Sequence, residues 1–347
     1  MEVADSCPFT AEVEGLVHRF CSEGCRQKFL AEKDVSSRRT VYDLVIIGAG
    51  PAGLTAAVYA ATMHDDALIL TRDLGGQAVD STMIDNYMGY DFISGPELIA
   101  RFRDQLINSH HLDHRLIEVG KVEASEAGFR VTAADGVAYQ AQVLIVATGA
   151  DPRRLGVPGE QELLRRGVFY GHVGDFSFME GRRVAVVGGG NSALQMVENL
   201  KSVASSIYLV SHGALTGDPV VIERVLRLPK LVRFERRQVI RFTGSKKLEG
   251  IRLREVATGE ETELAVDGAF IAIGFTPASK LVAHLVELNL HGEIKVRPDC
   301  STSRPGIFAA GDVTDAFGKR IVIASGEGAK AALAAHAYLG ERPGHDT

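Results

Sequence analysis

Long apolar runs are missing from this chain. No stretch approaches the ~20 consecutive residues needed to span a bilayer, and the acidic start Met1-Glu2-Val3-Ala4-Asp5 does not read as a signal peptide. Cysteine is scarce, with four in 347 residues. That excludes a disulfide-built scaffold and points to a reducing cytoplasm. Positive charge is not in excess: 38 basic and 44 acidic side chains leave a net charge of −6, so nucleic acid is not the expected partner. With 46% hydrophobic and 24% charged residues, the chain is neither disordered nor fibrous, and its length suggests two or three domains. What it has in quantity is glycine, 37 residues. Glycine collects where a backbone turns tightly or lets a ligand approach.

Residues 1–36 stand apart. They hold Cys7, Cys21 and Cys25 and run into a polar linker that ends at Arg38-Arg39. Short β-branched runs then alternate with longer helical patterns, which implies βαβ units around a parallel sheet and an α/β fold. Residues 41–48 are expected as a strand, 51–63 as an alanine-rich helix and 67–71 as the next strand. The pattern then recurs. Gly48-Ala49-Gly50-Pro51-Ala52-Gly53 follows one strand and Gly188-Gly189-Gly190-Asn191-Ser192-Ala193 another. Each unit closes on an apolar strand with a glycine, ending in Ala147-Thr148-Gly149 or Ala272-Ile273-Gly274. In such a turn the first glycine permits the bend, the second lets a pyrophosphate approach, and a small third residue lets helix and strand pack. The phosphate sits at the helix N-terminus. Two nucleotide sites in one chain are the simplest reading.

Over residues 41–340 the chain resembles the low-molecular-weight thioredoxin reductases. The likeness rests on Ile46-Ile47-Gly48-Ala49-Gly50-Pro51-Ala52-Gly53-Leu54, Gly75-Gly76-Gln77, Asp85-Asn86-Tyr87 and Ile93-Ser94-Gly95-Pro96-Glu97-Leu98. It continues through Ala147-Thr148-Gly149-Ala150 and the second glycine turn to Gly306-Ile307-Phe308-Ala309-Ala310-Gly311-Asp312-Val313-Thr314-Asp315. The resemblance implies two Rossmann-like domains: an FAD domain, 41–155 and 281–347, split around a nicotinamide domain, 156–280. It implies that Gly76, Gln77 and Asn86 line the isoalloxazine and that Asp312 hydrogen-bonds the ribityl chain. Lys319-Arg320-Ile321 stands where the family has Arg-Gln-Ala beside the flavin, so that contact is expected through backbone. Thr71 stands where a glutamate usually holds the adenosine ribose. Gly188, Gly190, Asn191, Ser192, Ala193 and Ser211 are the expected nicotinamide-nucleotide residues, and a homodimer is implied.

Three departures shape the expected function. Family members carry Cys-Ala-Thr-Cys before the second glycine turn; this chain has Gly171-His172-Val173-Gly174. Without a thiolate there is no thiol–disulfide exchange at that place, so electrons are expected to leave through the flavin to an external acceptor such as ferredoxin, flavodoxin, a quinone or oxygen. The thioredoxin-reductase-like ferredoxin–NAD(P) reductases, which also lack the pair, are the nearest functional model. His172 and Asp175 remain as candidate proton carriers. NADPH-specific members have His-Arg-Arg-x-x-x-Arg where this chain has Ser211-His212-Gly213-Ala214-Leu215-Thr216-Gly217. With no guanidinium for a 2′-phosphate, NADH is weakly preferred. A basic stretch, Arg224, Arg227, Lys230, Arg233, Arg236, Arg237 and Arg241, is either a steering patch for an acidic carrier or a solvated face.

The third departure is an addition. His18-Arg19-Phe20-Cys21-Ser22-Glu23-Gly24-Cys25 resembles the end of a YHS or TRASH-type module, in which two soft ligands hold zinc or copper. Such modules begin with one more cysteine; Met1-Glu2-Val3 matches the residues just after it, so that ligand is expected upstream, with Cys7 or His18 as a substitute. Two other readings stand beside the main one: a ferredoxin-linked disulfide reductase using Cys21 and Cys25, and an FAD-containing metal or redox sensor. Cys300 is expected to be buried and inert.

Overall fold

The computed structural model describes residues 39–81, 84–107, 112–170 and 176–341, with the backbone alone of residues 9–13 and 16–20. Those last two segments pair as an antiparallel hairpin, Phe9–Val13 (β1) with Leu16–Phe20 (β2). The rest is built on two parallel arrays laid out alike. In the first, Leu112–Leu116 (β5), Ala67–Leu74 (β4), Val41–Ala49 (β3), Ala138–Val146 (β8) and Ile307–Ala309 (β19) lie side by side. In the second the order is Leu231–Glu235 (β13), Ser206–Ser211 (β12), Arg183–Val187 (β11), Gly268–Ile271 (β17) and Val168–Tyr170 (β10). Each array has an antiparallel companion. Gly128–Ala133 (β7) and Val119–Ser125 (β6) extend the first from β8. Arg237–Thr243 (β14), Gly250–Glu255 (β15) and Glu261–Ala265 (β16) form a separate sheet beside the second. The chain passes between arrays along paired strands, Ala150–Pro152 (β9) against Phe275–Pro277 (β18).

Leu44, Val45 and Ile46 in β3, and Val184, Ala185 and Val186 in β11, are fully buried on both faces. That is the signature of parallel strands covered by helices on either side. Pro51–Thr62 (α1) starts where Pro51, which has no N–H to lose, follows Gly50. It ends one residue before the expected boundary, and β4 runs three residues past it, to Leu74. Asn191–Leu200 (α3) occupies the matching place in the second array, followed by Pro219–Leu226 (α4) with Asp218 as its N-cap. Gly95–Ile107 (α2) packs against α1 and the short turn Gly76–Asp80, and its Ile99 and Leu106 join the same core.

The longest helix, Ile321–Gly340 (α5), lies along α1. Ala52, Ala56, Ala57 and Ala60 on one side, and Ala324, Ala331, Ala332 and Ala335 on the other, share one core. Small side chains bring the two backbones together, and a Cβ on Gly328 would collide with the Ala52 carbonyl. Among the described residues no helix is long and apolar enough to cross a membrane. The α1–α5 contact sets opposite signs for two neighbouring substitutions. Gly326→Ala meets open space and is expected to stabilise by up to ~1 kcal/mol through helix propensity. Gly328→Ala is expected to destabilise by more than ~1 kcal/mol, because the overlap is with rigid backbone. Urea midpoints of the two variants check this.

Candidate functional site

At each strand-to-helix turn the backbone is closed on one side and open on the other. Gly48 and Gly188 adopt φ of 101° and 144°, and a Cβ on either would strike the carbonyl of Ala147 or Ala272. Those two residues tie back to the first strand of their unit, Ala147 N donating to Ile47 O and Ala272 N to Val187 O, both at 2.8 Å. The second glycines differ. Nothing lies within 4 Å of a Cβ built on Gly50, and only the Thr216 hydroxyl, at 3.9 Å, approaches one on Gly190. The first intrahelical bonds run from Leu54 N to Gly50 O and from Leu194 N to Gly190 O. The amides of Ala52 and Gly53, and of Asn191, Ser192 and Ala193, therefore face these openings without helical acceptors. Neither helix has a side-chain cap. Each opening has the geometry and the helix-end polarity that suit a pyrophosphate.

More residues gather around the first opening. Gly75 N donates to Ala49 O at 2.7 Å, and a Cβ on Gly76 would stand 3.4 Å from Gly50 Cα, so the Gly75-Gly76-Gln77 loop forms its wall. Gln77 Nε2 donates to Ala150 O at 2.5 Å. Thr148 Oγ1 donates to Ala278 O at 2.8 Å, and Gly149 has open space before it. Asn86 is exposed. Gly311, packed on Ala52 Cβ, turns the chain toward Asp312. Lys319 Nζ donates to Thr314 O and at 3.4 Å to Asp312 O, and pairs with Glu293 at 3.2 Å. Arg320 is the N-cap residue of α5, which begins at Ile321 without a side-chain cap.

Asp312 is the electrostatic oddity. Its side chain is half-buried and makes no hydrogen bond to any described residue. Burial raises its carboxyl above the ordinary value, opposed by Lys319 and Arg320. A partly desolvated carboxylate with no donor among the described residues is a ready acceptor, and the hydroxyls of a polyol are suitable donors. Beside it, Glu327 on α5 accepts from Gly311 N at 2.7 Å, and burial raises this carboxyl also. Glu327 was invisible to pattern reading, because one glutamate in an alanine-glycine helix gives no local sign that it reaches a turn sixteen residues earlier.

Two expected nucleotide ligands are occupied by their own backbone. Thr71 Oγ1 accepts from Ala49 N at 3.1 Å and donates to Asp73 O at 2.5 Å. Ser211 Oγ donates to Gly213 O at 2.7 Å. Both are buried, so their hydroxyl donors serve the strand ends. Asn191 Oδ1 accepts from Asp218 N at 2.7 Å. Most of the basic stretch is engaged: Arg224 pairs with Glu198, Arg227 with Glu223 and Arg233 with Glu235, while Lys230 and Arg237 donate to the carbonyls of Ala204 and Glu260. Cys300 is buried, and its thiol is pushed up to about 11, so it remains protonated and unreactive. Gly171, His172, Gly174 and Asp175, and the cysteines Cys7, Cys21 and Cys25, lie outside the described residues. No group of metal-ligating side chains occurs among the described residues.

Comparison with known proteins agrees with this layout. The pattern of the pyridine nucleotide-disulphide oxidoreductases matches residues 42–336. The chain belongs to that family. The thioredoxin reductase of Mycolicibacterium smegmatis is 36% identical over 312 residues, covering 89% of this chain and 100% of the relative. The NADH dehydrogenase of Bacillus subtilis (strain 168) is 33% identical, covering 86% of this chain and 58% of the relative. Among solved structures, the thioredoxin reductase of Streptococcus pyogenes MGAS5005 matches with a TM-score of 0.75 at 34% identity, over 88% of this chain and 100% of that one. As a pyridine nucleotide-disulphide oxidoreductase the protein is an FAD-dependent enzyme that works with a pyridine nucleotide, and the open turns and unpartnered Asp312 fit such cofactors.

The raised Asp312 carboxyl gives a pH effect of defined sign. The folded state holds this proton to higher pH than the unfolded chain, so the group favours folding at low pH and loses that contribution as pH rises above the ordinary carboxylate range. Asp312→Asn is expected to flatten that fall in the FAD-free protein, leaving the share that Glu327 contributes. Denaturation midpoints between about pH 4 and 7 check it, and an unchanged profile contradicts it.

Proposed function

We propose that the chain is an FAD-dependent NAD(P)H oxidoreductase in which electrons pass from nicotinamide through flavin to an external acceptor, with no active-site disulfide on the route. The observation that carries this reading is that both glycine turns keep an open second glycine, while positions 171 and 174 hold glycine where the resemblance implies cysteine. On this reading 41–155 and 281–347 form the FAD unit, 156–280 the nicotinamide unit, and the enzyme is a homodimer.

The chain's own groups have distinct tasks. The Ala52 and Gly53 amides and the α1 dipole hold the FAD pyrophosphate. Asp312 accepts hydrogen bonds from the ribityl hydroxyls, and Glu327 keeps the Gly311 turn that aims it. Gln77, fixed on Ala150 O, and Asn86 line the ring. When bound, FAD supplies the two-electron acceptor for nicotinamide hydride. His172 and Asp175 are the candidate groups for moving the accompanying proton, and Cys21 and Cys25, with Cys7, the proposed ligands of a zinc or copper ion.

NADH is the favoured donor. The 2′-phosphate arginines are absent, and a side chain at Gly217 would have to displace the ends of the Leu194 and Asn191 side chains. The name NADH dehydrogenase, borne by one relative, is that of the donor favoured here. The ion pairing of Arg224, Arg227 and Arg233 supports the solvated-face reading of the basic stretch over a docking patch for ferredoxin or flavodoxin.

Anaerobic stopped-flow reduction is expected to bleach the flavin faster with NADH than with NADPH; the reverse order contradicts the donor preference. Insulin-coupled assays are expected to give no thioredoxin turnover, and brisk turnover that Cys21→Ser and Cys25→Ser abolish would establish the N-terminal-thiol alternative instead. Gly50→Ala places a methyl in open space at φ −71°, so the fold should survive while FAD retention falls at least ~10-fold. Flavin content and thermal melts of the variant separate the two effects.

A further inference from the structure

The two nucleotide units correspond beyond their glycine turns. In the first, the loop after β4 returns to the turn through Gly75 N to Ala49 O at 2.7 Å. In the second, the loop after β12 returns through Thr216 N to Gly189 O at 2.8 Å. Ala49 and Gly189 are the middle residues of their turns, so Thr216 stands where Gly75 stands in the first unit. Each strand carries the same device near its C-terminal end, a buried hydroxyl donating to the carbonyl two residues on: Thr71 to Asp73 within β4, and Ser211, the last residue of β12, to Gly213. The difference lies in what faces the second glycine. No atom lies within 4 Å of a Cβ built on Gly50, whereas Thr216 Oγ1 lies 3.9 Å from one on Gly190. That hydroxyl is exposed and makes no hydrogen bond to any described residue. The loop carrying it is fixed by Asp218 N on Asn191 Oδ1, and the packing of Gly217 against Leu194 leaves it no slack. The carboxylate of Asp218 is held by Val220 N at 2.8 Å.

We propose that Thr216 is a phosphate ligand of the second nucleotide site, its hydroxyl donating to the pyrophosphate of the bound nicotinamide dinucleotide alongside the amides at the N-terminus of α3. This rests on the reading that the second unit binds NAD(P)H. A neutral hydroxyl on a preorganised loop supplies a hydrogen bond to an anion without the desolvation cost of a further charge.

The test uses the full chain with FAD bound and titrates it with ADP-ribose, which carries the pyrophosphate but transfers no hydride, and with adenosine, which carries no phosphate. Thr216→Val is expected to weaken ADP-ribose binding about tenfold and to leave adenosine binding, flavin content and the flavin absorbance spectrum unchanged. Thr216→Ser should bind ADP-ribose within about twofold of the native protein, because it keeps the donor. ADP-ribose binding to Thr216→Val at native strength overturns this proposal alone, as does a parallel loss for adenosine, which would mark a distorted loop. A native protein that binds no ADP-ribose overturns it together with the reading it rests on.

Discussion

In both halves of the molecule one backbone collision decides how the chain turns from strand into helix. Gly48 is wedged against the carbonyl of Ala147 and Gly188 against that of Ala272, each carbonyl belonging to the residue that leaves the strand paired beside the turn's own, β8 beside β3 and β17 beside β11. The wedge holds the helix end over the sheet with its first amides pointing outward, and the next glycine leaves the approach clear. The rest is arranged around that geometry. The alanine faces of α1 and α5 press together so that Gly311 can pack on Ala52, and the loops after β4 and β12 fold back onto the middle residue of each turn.

The first opening offers a ligand two complementary sets of groups. Helix-end amides without acceptors lie in the same array as a carboxylate without donors, Asp312. Both are open to solvent, and a ligand with phosphate at one end and hydroxyls further along would satisfy both in one molecule. Glu327 holds Gly311 from behind with a second desolvated carboxylate, and Lys319, paired to Glu293, spreads positive charge between the two. Stability given up at these groups is the usual accompaniment of a preorganised binding site.

What could be read from the sequence was what is decided locally. The strand from Val41, the helix from Pro51 and the strand Arg183–Val187 arise from β-branched runs, proline and glycine placed side by side. Element ends differ by a few residues, as in β4, because Leu74 pairs with Ala49 across a register shift that no apolar pattern announces. Roles set by distant partners stayed hidden. Glu327 acts on Gly311, Glu198 on α3 neutralises Arg224 on α4, and Thr216 reaches Gly189 only after the loop closes. Thr71 and Ser211 occupy the positions expected of nucleotide ligands, yet each is first a strand-end clamp.

On the proposed route flavin is the sole two-electron store between nicotinamide and acceptor. Anaerobic reductive titration of the purified FAD-bound chain, followed by flavin absorbance against electrons added, tests it most directly. An end point at about two electrons per FAD is expected. An end point at about four, with a second disulfide-linked phase, would place a reducible cysteine pair beside the flavin and contradict it.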